Sequence, residues 1–202
     1  MIKVSNLEKV GGNSLVFDVS GVDVKTMNMF RRTVIAGVPS MAVEKVLVYD
    51  NSSILNDEIL AHRIGLVPLT TDLKTYVSAS ECNCKGEGCG RCTCKLTVDV
   101  TGPATVHSGD MKSADDNVRP VHSKIQIIKL LADQRVRLEA EAVIGTGREH
   151  IKWQAGLAAY EMKDDGSFHV TVESFGQLPV EELVRSAFEV VEARISQLQE
   201  KD

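Results

Sequence analysis

Apolar positions change their period along the chain, and each change marks a new element. The first twenty residues read as two strands around a Gly11-Gly12-Asn13 turn, with Val16 and Phe17 in the second. From Asp23, a capping residue, Val24, Met27, Phe30, Val34 and Val38 recur at steps of three or four until Pro39, which predicts a helix. A strand over Ala42 to Tyr49, a turn at Asn51-Ser52-Ser53 and a short helix from Asp57 to Ile64, ended by Gly65 and Pro68, follow. Leu96-Thr97-Val98-Asp99-Val100 alternates, as do Val136, Leu138, Ala140 and Ala142 against Arg135, Arg137, Glu139 and Glu141, so the middle of the chain is β in character. Residues 108–124 are polar and read as a loop with little regular structure. A polar link carrying Trp153 leads to a hairpin around Asp164-Asp165-Gly166, and a helix with Pro179 just inside its start runs to about Leu198.

The two strongest helices therefore lie near the ends, with the β-rich part between them. On a helical wheel Val180, Leu183, Val184, Ala187, Phe188, Val190, Val191, Ile195 and Leu198 share one side of the last helix. That stripe covers about 160°, wider than the roughly 100° one core surface requires. Either the helix is wedged between two layers of its own domain, or part of the stripe is a subunit interface. In the first helix Arg31 falls inside the apolar face, where it must snorkel outward or meet an acid. A single such Arg can simply cover core with its aliphatic stem, but with Arg32 beside it the pair also suits a docking surface for carboxylates or carbonyls.

Composition is that of a soluble globular protein, 43% hydrophobic and 25% charged. Lys+Arg total 23 against 28 Asp+Glu, a net charge of −5, which argues against a free-standing nucleic-acid binder. No stretch approaches the ~20 apolar residues of a membrane span, and Glu8 stands where a secretory signal would place its apolar core, so an intracellular, cytoplasmic protein is expected.

All five cysteines fall between Cys82 and Cys94, in the spacing C-x-C-x4-C-x2-C-x-C. A secreted disulfide scaffold would spread an even number instead. Gly86, Gly88 and Gly90 let the backbone fold around one ion, and four thiolates suit tetrahedral structural zinc. The preferred ligands are Cys82, Cys84, Cys89 and Cys92. Cys94 borders the next strand and is the spare or alternative ligand. An iron–sulfur cluster, a redox dithiol and free thiols remain the other readings. The five histidines are scattered without a metal pair, Gly145-Thr146-Gly147 lacks the rest of a nucleotide loop, and His62 reads as structural rather than as a base. Nothing points to an enzyme acting alone.

Asn28-Met29-Phe30-Arg31-Arg32, Val38-Pro39-Ser40-Met41-Ala42, Asn51-Ser52-Ser53-Ile54-Leu55 and the run from Asp57 through Ala61-His62-Arg63-Ile64-Gly65-Leu66-Val67-Pro68-Leu69 occur in order. Ser108-Gly109-Asp110 and Lys152-Trp153-Gln154 follow. Together they closely resemble the D-type subunits of archaeal RNA polymerases, a family that includes the third-largest eukaryotic subunit and bacterial alpha. The resemblance implies an α+β fold. A discontinuous dimerisation domain of sheet plus two long helices (1–43 and 153–202) holds an inserted β-rich domain (44–152) with the cysteine loop at 82–94.

It further implies a non-catalytic assembly subunit that heterodimerises with subunit L through Met27, Phe30, Val34, Leu183, Ala187, Phe188, Val191 and Ile195. Arg31 and Arg32 would face the second-largest subunit, and the loop of Arg148 would be another contact with it. The largest subunit and small subunits N and P are further expected partners, with DNA met only through the whole complex. With no cysteine after Cys94, no separate iron–sulfur domain and no 4Fe–4S cluster are expected. The cysteine loop resembles the zinc loop of the eukaryotic relative instead. An independent zinc-stabilised module touching nucleic acid through Lys85, Arg91 and Lys95 is the alternative. A thiol redox enzyme using Cys89-Gly90-Arg91-Cys92 is a third reading, weakened because a redox pair belongs at a helix start after a strand.

Overall fold

A computed structural model describes residues 2–199, with side chains to Ser196. In chain order the elements are β1 (Lys3–Val10), β2 (Ser14–Ser20), α1 (Val24–Ala36), β3 (Pro39–Asn51), α2 (Asp57–Gly65), β4 (Thr93–Thr101), β5 (Ala104–His107), β6 (Lys112–Ser113), β7 (Gln126–Leu130), β8 (Arg135–Thr146), β9 (Gly156–Met162), β10 (Phe168–Ser174) and α3 (Val180–Gln199). Two compact units result: one joins the chain up to Pro39 with the chain from Thr146 onward, the other is Ser40–Gly145. These junctions fall four and seven residues before 43/44 and 152/153, because nearly all of β3 and β8 lies in one sheet of the second unit.

The first unit is an antiparallel sheet in the order β1-β2-β10-β9. Leu15, Phe17 and Val19 of β2 and Phe168, Val170 and Val172 of β10 are buried, the two-residue period that puts one side of each strand under α1 and α3. The Asp23 carboxylate accepts the Thr26 N–H at 2.8 Å and starts α1. Gly37 ends it by donating its N–H to the Thr33 carbonyl at 2.7 Å, so Val38, expected inside the helix, lies just past it.

Asp18 is bound from three sides. It accepts the Asn6 side-chain N–H at 2.7 Å and lies 2.8 Å from both the His169 Nδ1 and the Lys163 ammonium. Asn6 reaches it from an irregularity in the β1–β2 pairing, with φ of 53°. The hydrogen bond from Lys163, then those from Asn6 and His169, hold the Asp18 carboxyl well below the usual carboxylate range. A depressed folded-state pKa adds stability above the ordinary carboxylate range and loses it as pH falls through the lower folded value. Asp18→Asn should therefore lower the thermal midpoint at pH 7 and narrow its gap from the unaltered chain as acid is added. A gap constant from pH 7 to pH 2, followed by circular dichroism, would refute the network's contribution.

In the second unit one sheet has the order β3-β8-β4-β6, and β5 pairs with β7. The β4–β8 register sets Cys94, Leu96 and Val98 against Ala142, Ala140 and Leu138, all buried. The intervening residues face outward, where Lys95 meets Glu139 at 2.7 Å and Arg135 forks onto Asp99 at 2.9–3.0 Å. Leu60 and Ile64 anchor α2 in the same core. The segment expected to be a plain loop, 108–124, carries a one-turn 3-10 helix at Ser108–Asp110 and the short β6. Polar side chains hold it: Ser108 donates to the His122 carbonyl, and Asp110 accepts the His107 N–H at 2.7 Å.

Candidate functional site

The cysteine loop leaves the core after Tyr76 and returns at β4, closed at its neck by the Val77 N–H on the Arg91 carbonyl, 3.0 Å. Inside it tight turns recur, with Lys85 N–H on the Cys82 carbonyl at 3.0 Å and Cys92 N–H on the Cys89 carbonyl at 3.0 Å. Gly86 and Gly88 adopt φ of 87° and 84°, a backbone region costly for other residues. These turns bring the sulfurs of Cys82, Cys84, Cys89 and Cys92 within 4.8 Å of one another. Cys82–Cys89 and Cys84–Cys92 are 3.5 Å apart and Cys89–Cys92 3.9 Å. A zinc tetrahedron with Zn–S near 2.3 Å has edges of about 3.8 Å, so the donor set fits that ion. Cys94 does not join it: its side chain points into the core, 3.5 Å from the Ser113 hydroxyl.

The thiols do not share protons equally. A backbone hydrogen bond from Cys89, then the Cys82 thiol, lowers the Cys84 pKa to about 6. For Cys82 the Cys84 backbone pulls downward, but the Cys84 and Cys89 sulfurs together with burial push it up to about 12. Cys84 thus gives up its proton readily while Cys82 holds its own, and a metal entering the cluster must displace the Cys82 proton.

The other candidate residues belong to the first unit. Arg31 is half-buried and forms no ion pair with an acid among the described residues; its guanidinium donates to the Asn28 side-chain oxygen at 3.0 and 3.2 Å, one turn back on α1. Arg32 is exposed. A Cβ on Gly147 would come within 2.9 Å of the Ala36 Cα, so glycine lets this loop lie against the last turn of α1. The Arg148 N–H then bonds the Ala36 carbonyl at 3.1 Å, and its side chain is exposed. Arg194, a polar position that the apolar pattern of α3 does not single out, reaches Thr33 at 3.5 Å. Burial, then the nearby Arg148, lowers its pKa.

Of the apolar residues, Met27, Phe30, Val34, Leu183, Ala187 and Val191 are buried, whereas Phe188 and Ile195 keep 42% and 40% exposure. Phe188 stacks on Phe30 with ring centres 4.5 Å apart. Leu198, also in the stripe, lies outside the described side chains. His62 is exposed on α2, and among the described residues the four cysteines are the His/Cys/Asp/Glu group spaced to hold a metal. No helix among them is long and apolar enough to cross a membrane.

Residues 46–168 match the family model of the RNA polymerase Rpb3/RpoA insert domain. The chain is 43% identical over 151 residues to the DNA-directed RNA polymerase subunit Rpo3 of Methanosarcina acetivorans, covering 74% of this chain and 57% of that one. It is 42% identical over 144 residues to the Rpo3 of Pyrobaculum neutrophilum, 70% and 55% of the two chains. With that of Thermococcus kodakarensis it shares 40% over 162 residues, 80% and 60%. The chain thus spans a little over half the length of these relatives. The match extends far beyond the cysteine loop and leaves an independent zinc-stabilised module without support. These three relatives are archaeal Rpo3 chains, and the chain belongs to the Rpb3/RpoA family of DNA-directed RNA polymerase subunits.

Proposed function

We propose that the chain is a non-catalytic assembly subunit of a cytoplasmic DNA-dependent RNA polymerase. It pairs with subunit L and forms the platform on which the two large catalytic subunits assemble. The observation that carries this reading is the apolar side of α3, where Phe188 and Ile195 stay exposed in a member of this family. They stand two helical turns apart on one face, with half-buried Val184 beside them, over the buried Met27, Phe30, Val34, Leu183, Ala187 and Val191. Nucleotidyl transfer and its metal belong to the large subunits, small subunits N and P complete the neighbourhood, and DNA is met through the complex.

Cys82, Cys84, Cys89 and Cys92 would hold a structural zinc, which supplies a closed tetrahedral cross-link between the two arms of the loop. Arg31, Arg32 and Arg148 would dock the second-largest subunit, guanidiniums being suited to carboxylates and carbonyls.

Co-expression tests the reading. With subunit L the chain should purify as a 1:1 complex, and a monodisperse monomer indifferent to L would overturn it. Replacing both Arg31 and Arg32 with alanine should leave that pair intact and weaken capture of the second-largest subunit. Normal assembly of complete polymerase by the double variant would remove the arginines from this role.

A further inference from the structure

The turn between β3 and α2 is held by a dense set of hydrogen bonds around one side chain. The Asn51 amide oxygen accepts the Ser53 N–H at 3.1 Å and its hydroxyl at 2.5 Å. The Asn51 NH₂ donates to the Leu55 carbonyl at 2.8 Å and to the Asp57 carboxylate at 2.7 Å. The full donor and acceptor capacity of that amide is thereby used inside the turn. The Ser53 hydroxyl also accepts the Leu55 N–H at 3.3 Å. From outside, the Ser52 N–H bonds the Arg135 carbonyl at 3.0 Å and the Ser52 hydroxyl accepts the Arg135 N–H at 2.8 Å. Leu55 packs against the core and pins the far end.

At the apex of this frame stands Ile54, 85% exposed, the most exposed large apolar side chain among the described residues. A frame that holds an isoleucine in water gains nothing from burying it and stops it folding back. The ordering cost that a partner would otherwise meet is already met, which is how preorganised anchors gain affinity. Asp50, Asp57 and Glu58 stand exposed on either side, while Arg135 is committed to Asp99.

We propose that the Asn51–Asp57 turn is a rigid plug whose Ile54 seats in an apolar socket on another polymerase subunit, rimmed by Lys, Arg or backbone N–H groups that meet Asp50, Asp57 and Glu58. A second copy of the chain is a poor occupant, because a two-fold contact here would bring the acids of both plugs together. The proposal rests on the assembly role above and assigns it a surface whose sequence signals only a turn.

The experiment reconstitutes complete polymerase from its subunits and measures the concentration at which this chain enters. Ile54→Ala should raise that concentration roughly 10- to 100-fold, as loss of an interface anchor does. Ile54→Asp should raise it further. Asn51→Ala, which keeps Ile54 but removes its frame, should also weaken entry. Ile54 is exposed, so its variants keep the circular dichroism and thermal midpoint of the unaltered chain. Unchanged entry of Ile54→Asp, while the unaltered chain assembles, overturns the plug and leaves the assembly role standing. Failure of the unaltered chain to enter at all overturns both. Self-association of the unaltered chain that Ile54→Asp abolishes, with assembly unchanged, makes the occupant a second copy and also overturns the proposal.

Discussion

Replacing Cys89 with serine should reduce the zinc in chain purified without chelator from one ion per molecule to almost none, whereas Cys94→Ser should leave it at one. The two substitutions change the same atom in residues five apart, and the structure separates them. The Cys89 sulfur lies 3.5 Å from that of Cys82 and 3.9 Å from that of Cys92, central to the cluster. Cys94 faces the core opposite Ala142. A serine hydroxyl is a poor replacement for a thiolate toward zinc. The released segment, about residues 78–92, should become sensitive to protease, while the hydrophobic core behind it, which includes Leu96, Leu138 and Leu60, keeps the rest of the unit folded. Because uptake displaces thiol protons, zinc should leave progressively as pH falls. The proton-rich state of Cys82 sets the direction. Elemental analysis that finds neither zinc nor iron in the unaltered chain would sink the metal reading, and equal loss in both variants would sink the ligand set.

The four-cysteine cluster was legible because thiol spacing is a local property, and Cys94 could be set aside as the residue nearest a strand. That its side chain turns inward rather than outward depends on the β4–β8 register, which is tertiary. The same division runs through the fold. The helices α1 and α3 and the hairpin of β9 and β10 carry long periodic patterns or turn residues at fixed offsets, and these are visible in one segment at a time. Strands β5 and β7 are four and five residues long and pair across an intervening polar segment, so neither carries enough pattern to be seen alone. The position of Arg31 on the wheel predicts an acid or solvent; the guanidinium meets an amide on its own helix, an i−3 neighbour that charge patterning does not weigh. Ile54 stands in the sequence as one apolar residue of a family motif that reads as a turn, and its exposure and the frame that enforces it are visible only in the structure. The α3 stripe showed the width of an apolar surface but not its division, which packing on α1, β2 and β10 makes: Leu183, Ala187 and Val191 are buried and Phe188 is left partly exposed.

That division decides which substitution tests pairing with subunit L. Leu183→Asp would place a charge at a fully buried position and unfold the first unit, so the loss of a partner would follow trivially. Phe188→Asp is different. At 42% exposure its carboxylate can reach water in the isolated chain, and what that chain forfeits is the stack on Phe30. An aromatic stack of this kind is worth about 1 kcal/mol beyond its buried area, too little to unfold a unit with a complete sheet core. In a heterodimer built on this face the same carboxylate is buried without a cation, at a cost of roughly 3–5 kcal/mol. The expected result is a folded chain with a modestly lower thermal midpoint and an affinity for subunit L at least about a hundredfold weaker, read by sedimentation of the mixed subunits. Phe188→Leu should retain most of the affinity, because apolar contact rather than charge exclusion is then preserved. Ile195→Asp, two turns along the same face, should weaken pairing as well. If Phe188→Asp binds subunit L as tightly as the unaltered chain does, the α3 face is not the pairing surface.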